Sequence, residues 1–215
     1  MTEQCRVVVL ISGSGSNLQA LIDGQKNNSM PINIEAVISN RKEVFGLERA
    51  ESAGIPTITL SHTDFADRES FDQSLAQAID QYKPDLIVLA GFMRILTGDF
   101  VRHYEGRLLN IHPSLLPKYQ GLNTHQRALD AGDETHGVTV HFVTEELDGG
   151  PPIIQATVPI MENDSAETLA KRVQTQEHVI YPMAVHWFAE KRLTMDNSRV
   201  VLDGETLPKN GYQIS

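Results

Sequence analysis

The chain lacks several features that define whole classes of protein. Its one cysteine, Cys5, excludes an internal disulfide framework and disfavours a metal site built from thiolates. The longest apolar stretches, around residues 7–11 and 86–93, are too short to cross a bilayer, and the N-terminus carries no apolar segment typical of a secretion signal. We therefore expect a cytoplasmic protein with no membrane partner.

Basic residues are also scarce. The 18 Lys and Arg against 28 Asp and Glu give a formal net charge of −10, which disfavours nucleic acid as a partner. Small anionic ligands stay compatible with this balance, because local groups govern such sites. The length of 215 residues and the hydrophobic content of 40% are ordinary for a single globular domain.

Strand and helix signals alternate through the first half of the chain, which predicts a parallel sheet with helices on both faces. The predicted strands are residues 6–11, 32–39, 56–60, 85–90 and 107–111, and the predicted helices are residues 18–23, 45–53, 98–104 and a stretch from the cap Asp67 to Pro84. In the second half, the β-branched runs 138–143 and 153–160 predict an antiparallel hairpin. Asp164-Ser-Ala-Glu167 predicts a capping box that opens a long helix to about residue 192.

A glycine-rich turn, Gly13-Ser-Gly-Ser-Asn17, joins the first strand to the first helix. It lacks the Gly-Lys-Ser/Thr of a Walker A loop, and Leu18 stands where a dinucleotide fingerprint has its third glycine. The segment is therefore either a plain tight turn or a site for a phosphate-sized anion at the helix start. The polar side chains of Ser14, Ser16 and Asn17 favour a monophosphate.

Asn110 and His112 are two residues apart at the end of a predicted strand, so both side chains lie on one face. Pro113 ends that strand, because it has no backbone donor for a further ladder bond. Asp148 follows on a later loop, in Glu-Leu-Asp-Gly-Gly-Pro.

This set suits acyl transfer. Asn110 can donate to a developing oxyanion, where one donor is worth about 2.7–4 kcal/mol. His112 can deliver a proton to a departing nitrogen, and Asp148 favours its cationic form. The same residues also fit a purely structural role at a strand end. His136 and His141 are poor partners for a metal, since five residues apart on a strand they face opposite sides.

Four motifs resemble those of the phosphoribosylglycinamide formyltransferases, a family of folate-dependent enzymes of de novo purine biosynthesis. They are Ile-Ser-Gly-Ser-Gly-Ser-Asn-Leu-Gln-Ala (11–20), Leu-Ala-Gly-Phe-Met-Arg-Ile-Leu (89–96), Leu-Asn-Ile-His-Pro-Ser-Leu-Leu-Pro-Lys-Tyr (109–119) and His-Phe-Val-Thr-Glu-Glu-Leu-Asp-Gly-Gly-Pro (141–151). Gln174-Thr-Gln-Glu177 and Leu202-Asp-Gly204 extend the resemblance over almost the whole chain.

The resemblance implies one formyltransferase domain over residues 1–215, with a Rossmann-like α/β fold: a mostly parallel twisted sheet and an antiparallel C-terminal hairpin. Within it, a phosphate-binding half covers about residues 1–100, a folate and catalytic half about 101–195, and a tail 196–215. The implied reaction moves a formyl group from 10-formyltetrahydrofolate to the amine of glycinamide ribonucleotide, without a metal. The sequence leaves the oligomeric state open, a homodimer included.

Site residues follow from the same resemblance. His112 would be the proton donor, Asn110 would hold the formyl oxygen, and Asp148 would tune His112 and order a water. The ribonucleotide would be bound by Gly15, Ser16, Asn17, Gln174 and Glu177. The folate would be bound by Arg68, Met93, Arg94, Ile95, Leu96, Asn110, Thr144, Glu145, Glu146, Leu147 and Asp148.

Two departures from the family pattern stand out. Ser14 replaces a common Asn, which should keep a phosphate site that is built mainly from backbone. Gln120-Gly-Leu-Asn123 replaces Pro-Gly-Leu-His, so that a loop after Pro117, where the family implies a cis bond, loses a stiffening proline.

Two rival functions remain open. One is a formyltetrahydrofolate hydrolase, which would be expected to carry a further regulatory domain. The other is a non-catalytic nucleotide-binding module, in which the glycine-rich turn binds a ligand and His112 is structural.

Overall fold

The computed structural model describes residues 4–214 and shows a mixed α/β protein: a mostly parallel central sheet with helices, and a separate antiparallel sheet of three strands. The chain divides into two compact units, one up to Leu109 and one from Asn110 onward. Strand β5 (Leu108–His112) contains this boundary.

The first unit alternates strands and helices, as the sequence predicts. Its elements are β1 (Cys5–Ile11), α1 (Ser16–Lys26), β2 (Ile32–Ser39), α2 (Phe45–Ser52), β3 (Thr57–Thr59), a 3₁₀ turn (His62–Asp64), α3 (Arg68–Asp80), β4 (Leu86–Leu89) and α4 (Gly98–His103). The strand order is β5-β4-β1-β2-β3, and β1 pairs in parallel with both β2 and β4. β1 and β4 are aliphatic runs that are almost entirely buried, the pattern of strands covered on both faces.

The second unit begins at Asn110 and contains α5 (Thr124–Asp130), β6 (Thr135–Phe142), β7 (Pro152–Pro159), α6 (Ala166–Ala189), β8 (Leu193–Asp196), β9 (Arg199–Leu202), β10 (Glu205–Thr206) and β11 (Tyr212–Ile214). Its strands in the main sheet follow the order β11-β7-β6-β5. β6 and β7 pair antiparallel, which confirms the predicted hairpin. The Leu116–Pro117 peptide bond is cis, as the resemblance implies.

The long helix α6 begins one residue later than the predicted capping box. Ser165 is the N-cap and exchanges hydrogen bonds with Thr168, at distances of 3.2 and 2.9 Å. The carboxylate of Asp164 accepts from Met161 N, from the Arg172 guanidinium and from the Thr168 hydroxyl. The helix is thus capped by Ser165 rather than by Asp164, and the predicted pair Asp164 and Glu167 is wrong.

The C-terminal segment holds structure that the sequence did not signal. β8, β9 and β10 form the small antiparallel sheet, and β11 adds to the edge of β7 in parallel. These strands are only two to four residues long, too short for an alternating pattern to show. Within the described part of the chain, no helix combines the length and apolar character needed to cross a membrane.

Candidate active site

Asn110 and His112 lie where β5 ends, as predicted. The strand stops at His112, and the next residues turn at once, with Ser114 N donating to His112 O at 2.8 Å. The His112 ring is buried, with 6% of its surface exposed. Because the ring is buried, its hydrogen bonds are made with neighbouring protein groups of the second unit.

Both ring nitrogens of His112 face acceptors. Nε2 lies 2.8 Å from the carbonyl oxygen of Tyr119, and a carbonyl only accepts, so Nε2 carries a proton. Nδ1 lies 3.4 Å from Oδ2 of Asp148. An imidazolium, with an N–H on each nitrogen, satisfies both neighbours at once, and the carboxylate balances its charge.

Two backbone contacts position Asp148, one from Gly121 to its carboxylate and one between Gly150 and the end of β6. Its own φ is 49°, a left-handed conformation that Asp tolerates better than most residues. Gly121 N donates to Oδ2 at 2.9 Å. Two residues on, Gly150 passes so close to the end of β6 that a Cβ there would lie 1.8 Å from Phe142 O. The loop is thus fixed against β6, with the carboxylate turned toward His112.

His141 orients the carboxamide of Asn110. The Nδ1–H of His141 donates to Phe142 O at 2.9 Å, so its Nε2 carries a lone pair, which Asn110 Nδ2 faces at 3.3 Å. Burial lowers the pKa of His141, which keeps the ring neutral and able to accept. The second N–H of Asn110 stays available for a ligand oxygen.

We call Asn110, His112, His141 and Asp148 the histidine cluster. The Nε2 of His141 also lies 4.0 Å from Oδ1 of Asp148. From its spacing to His136 alone, His141 is only a poor candidate for a metal ligand. Its contact with Asn110 joins positions 31 residues apart, so no local pattern reveals it. Among residues 4–214 no group of three or more His, Cys, Asp or Glu side chains is arranged to hold a metal ion.

In the first unit, Gly13, Ser14, Gly15, Ser16 and Asn17 form what we call the glycine loop. Gly15 is the N-cap of α1 with φ 71°, a left-handed conformation that suits glycine. A Cβ on Gly15 would lie 2.7 Å from the Cα of Gly46, so the loop packs directly on the start of α2. No acidic residue lies in the first turn of α1, where backbone N–H groups favour an anion.

The loop is braced from α2. Gly46 N donates to Gly13 O at 3.0 Å. Arg49 Nε donates to Ser14 O at 2.8 Å, and its Nη1 donates to the Gln19 side chain at 3.1 Å. These bonds fix the carbonyl groups of the loop.

The residues expected to bind folate lie in two segments, one in each unit. Residues 93–96 follow β4; Met93 and Ile95 are more than half exposed, while the Arg94 guanidinium lies 5.3 Å from the Phe71 ring. Met93 N donates to Ser12 Oγ, and Thr97 N donates to the buried carboxylate of Asp72, which fixes both ends of this segment.

The second of these segments, residues 144–148, forms the turn before Gly149, and Leu147 in it is 51% exposed. Arg68 is exposed in the first turn of α3. Gln174 and Glu177 lie one helical turn apart on α6, as predicted.

The chain is similar to proteins of one enzyme family. A model of the formyl transferase family matches residues 5–185. The phosphoribosylglycinamide formyltransferase of Escherichia coli (strain K12) is 59% identical over 206 residues, which is 96% of this chain and 97% of the relative.

Solved structures give a similar result. The phosphoribosylglycinamide formyltransferase from Coxiella burnetii is 54% identical, with a TM-score of 0.94 and coverage of 99% of this chain and 100% of that one. A formyltetrahydrofolate deformylase from Pseudomonas syringae is 27% identical with a TM-score of 0.87, and this chain covers 66% of it.

Proposed function

We propose, because this chain belongs to the formyl transferase family and within it to the phosphoribosylglycinamide formyltransferases, that it transfers a formyl group from 10-formyltetrahydrofolate to the amine of glycinamide ribonucleotide. The observation that carries the mechanism is the buried pair of His112 and Asp148 beside an oriented Asn110. The substrate amine is the nucleophile, so that no side chain need form a covalent bond.

The reaction begins when the amine nitrogen attacks the formyl carbon. A bond forms between this nitrogen and the carbon, and the carbonyl electron pair moves onto oxygen. The free N–H of Asn110 stabilises that oxyanion, a role worth about 2.7–4 kcal/mol for one well-placed donor. His141 supports the step by holding the carboxamide plane.

Collapse of the tetrahedral species breaks the bond between the carbon and N10 of the folate. The imidazolium of His112 gives a proton to this departing nitrogen, and the amine loses one proton after attack, so the protons balance. Since Nε2 faces Tyr119 O and Nδ1 faces Asp148, one of these contacts must open for His112 to reach N10. The Asp148 side is the longer of the two and opens at lower cost.

The glycine loop is the proposed site for the substrate phosphate. Gly15, Ser16 and Asn17 lie at the start of α1, where N–H groups of the first turn point outward from the helix end. Gln174 and Glu177 are proposed to complete the ribonucleotide contacts. Residues 93–96 and 144–148, with Arg68, are proposed to bind the folate, whose flat apolar rings suit the exposed Met93, Ile95 and Leu147.

Hydrolysis of formyl-folate is the second candidate, because the similarity to a deformylase extends over 94% of this chain. The two reactions share the formyl donor and differ in the acceptor, water or an amine.

One assay separates the candidates. Purified protein is mixed with 10-formyltetrahydrofolate, with and without glycinamide ribonucleotide, and the absorbance of the released folate is followed. We expect release only when the ribonucleotide is present, together with stoichiometric formylated ribonucleotide by mass spectrometry. Release without it would support the hydrolase, and no release in either mixture would support a binding module.

A further inference from the structure

The backbone of residues 119–122 contacts both members of the catalytic pair in the second unit. Tyr119 O accepts from His112 Nε2 at 2.8 Å, and Gly121 N donates to Asp148 Oδ2 at 2.9 Å. Tyr119 and Gly121 both have positive φ, 57° and 80°, which turns alternate peptide groups toward these two side chains. The position of His112 relative to Asp148 thus depends on a short surface segment.

Arg127, in the last turn of α5, holds this segment. Its Nη1 donates to Gln120 O at 2.6 Å and to Leu122 O at 3.3 Å. Its guanidinium carbon also lies 5.2 Å from the centre of the Tyr119 ring, within the range of a cation–π contact. One side chain therefore contacts three of the four residues 119–122.

The base of α5 is itself tied to the strand that carries His112. Thr124 Oγ1 donates to Pro113 O at 2.7 Å, directly after β5. The far end of the Tyr119 side chain donates to Asp133 Oδ2 at 2.7 Å. Arg127 thus connects α5, which is bonded to the end of β5, with residues 119–122, which contact His112.

We propose that Arg127 is a positioning residue for formyl transfer, which acts through residues 119–122 on the geometry of His112 and Asp148. This inference rests on the proposed function, and it also explains how the chain retains an ordered loop with Gln120 where the family commonly has proline. A proline at position 120 would restrain the loop through its ring. With glutamine there, the Arg127 guanidinium restrains it instead through two hydrogen bonds, to the carbonyls of Gln120 and Leu122.

The test compares Arg127→Ala and Arg127→Lys with the unsubstituted protein. Arg192→Ala is a matched control, because this arginine pairs with Asp203 and Glu190 beside the small C-terminal sheet. We expect Arg127→Ala to lower kcat by ~10-fold, since misplacement by about 1 Å can cost up to ~100-fold. KM for the ribonucleotide should stay within ~2-fold, and Arg127→Lys should recover part of kcat, because a lysine can still donate to a carbonyl.

A spectroscopic measurement gives a readout that does not depend on activity. With ¹⁵N-histidine labelling, the Nε2–H of His112 in the unsubstituted protein should exchange slowly with solvent and resonate downfield, as a buried donor to Tyr119 O. In Arg127→Ala we expect that signal to shift upfield or broaden, while thermal unfolding and the signals of His141 stay close to those of Arg192→Ala.

The outcomes separate two failures. If the unsubstituted protein forms no formylated ribonucleotide, the proposed function fails, and the His112 signal still decides whether Arg127 holds the segment. If the unsubstituted protein is active and Arg127→Ala has the same kcat and the same His112 signal, the positioning role is wrong. Equal loss of kcat in Arg192→Ala would also overturn it.

Discussion

The glycine loop in the first unit is built from backbone groups, whereas the histidine cluster in the second is built from side chains. The loop owes its shape to a left-handed Gly15, and to Gly46, whose Cα would lie 2.7 Å from any Cβ at position 15. The cluster owes its shape to pairwise contacts, His112 with Asp148 and Asn110 with His141. Backbone groups bind a fixed anion well, whereas ionisable side chains can move a proton. On this contrast we propose that the loop binds the substrate and that the cluster carries out the chemistry.

The largest effect should come from His112. The change His112→Ala removes the proposed proton donor, and general acid catalysis contributes about 10²–10⁴-fold, so kcat should fall by that factor in steady-state assays. KM for the ribonucleotide should change little. His103→Ala is the control, because this histidine is half-exposed and pairs with Asp80. A normal kcat for His112→Ala would remove the cluster from the chemistry.

Gly15→Ala should change KM and leave kcat nearly unaffected, the reverse of His112→Ala. A non-glycine residue at φ 71° costs about 1–3 kcal/mol, and the added Cβ also meets Gly46. The loop must therefore deform, and we expect KM for the ribonucleotide to rise by at least ~10-fold, since each ~1.4 kcal/mol is worth tenfold. The value of kcat at saturation should stay within ~3-fold.

Gly54→Ala is the matched control for Gly15→Ala. Gly54 has φ 73° and no neighbour within 4 Å of its Cβ position, so an alanine there introduces the same backbone strain without contacting the glycine loop. An unchanged KM in Gly15→Ala, or the same rise in Gly54→Ala, would break the assignment of binding to the loop.

Substitutions of His141 test whether its hydrogen bond to Asn110 contributes to the chemical step. In His141→Leu the Nδ2 of the half-buried Asn110 loses its acceptor, and since a fully buried unsatisfied donor costs about 1–3 kcal/mol, the lower end of that range applies here. The carboxamide should then rotate away from the formyl oxygen, and we expect kcat to fall by ~10-fold. His141→Gln keeps an acceptor and should fall less. Equal losses in both variants would mean that packing, rather than the hydrogen bond, is what His141 supplies.

The smallest effect should come from Arg49, which braces the loop through the carbonyl of Ser14. Because the guanidinium is partly exposed, its contribution is discounted to the range of surface contacts, up to about 1 kcal/mol. Arg49→Ala should raise KM for the ribonucleotide by ~3-fold with no change in kcat, as measured by steady-state kinetics. A fall in kcat instead would show that the loop takes part in more than binding.

The same contrast explains how much the sequence could reveal. The βαβ order, the hairpin of β6 and β7, and the strand end at Pro113 all follow from local periodicity and proline chemistry. The glycine turn is also visible as a local motif. Gly46 was not foreseen as its support, because the packing of α2 on the loop leaves no local pattern.

The partners inside the cluster could not be predicted from local pattern. The contact of His141 with Asn110 joins positions 31 residues apart, and only the adjacency of β5 and β6 in the sheet brings them together. The carbonyl of Tyr119 is a backbone group, so the amino-acid type at that position does not signal it. The short strands β8 to β11 escaped prediction for a simpler reason, since two to four residues carry no readable alternation.

The division between binding and chemistry is tested most directly with an acceptor that lacks its phosphate. kcat/KM would be measured for glycinamide ribonucleotide and for the dephosphorylated riboside, in the unsubstituted protein, in Gly15→Ala and in His112→Ala. Removal of the phosphate should cost the unsubstituted protein and His112→Ala the same large factor, and cost Gly15→Ala much less, because interacting groups are non-additive and independent ones are additive. The same factor in all three proteins would contradict the account, since the phosphate would then be bound elsewhere than at the glycine loop.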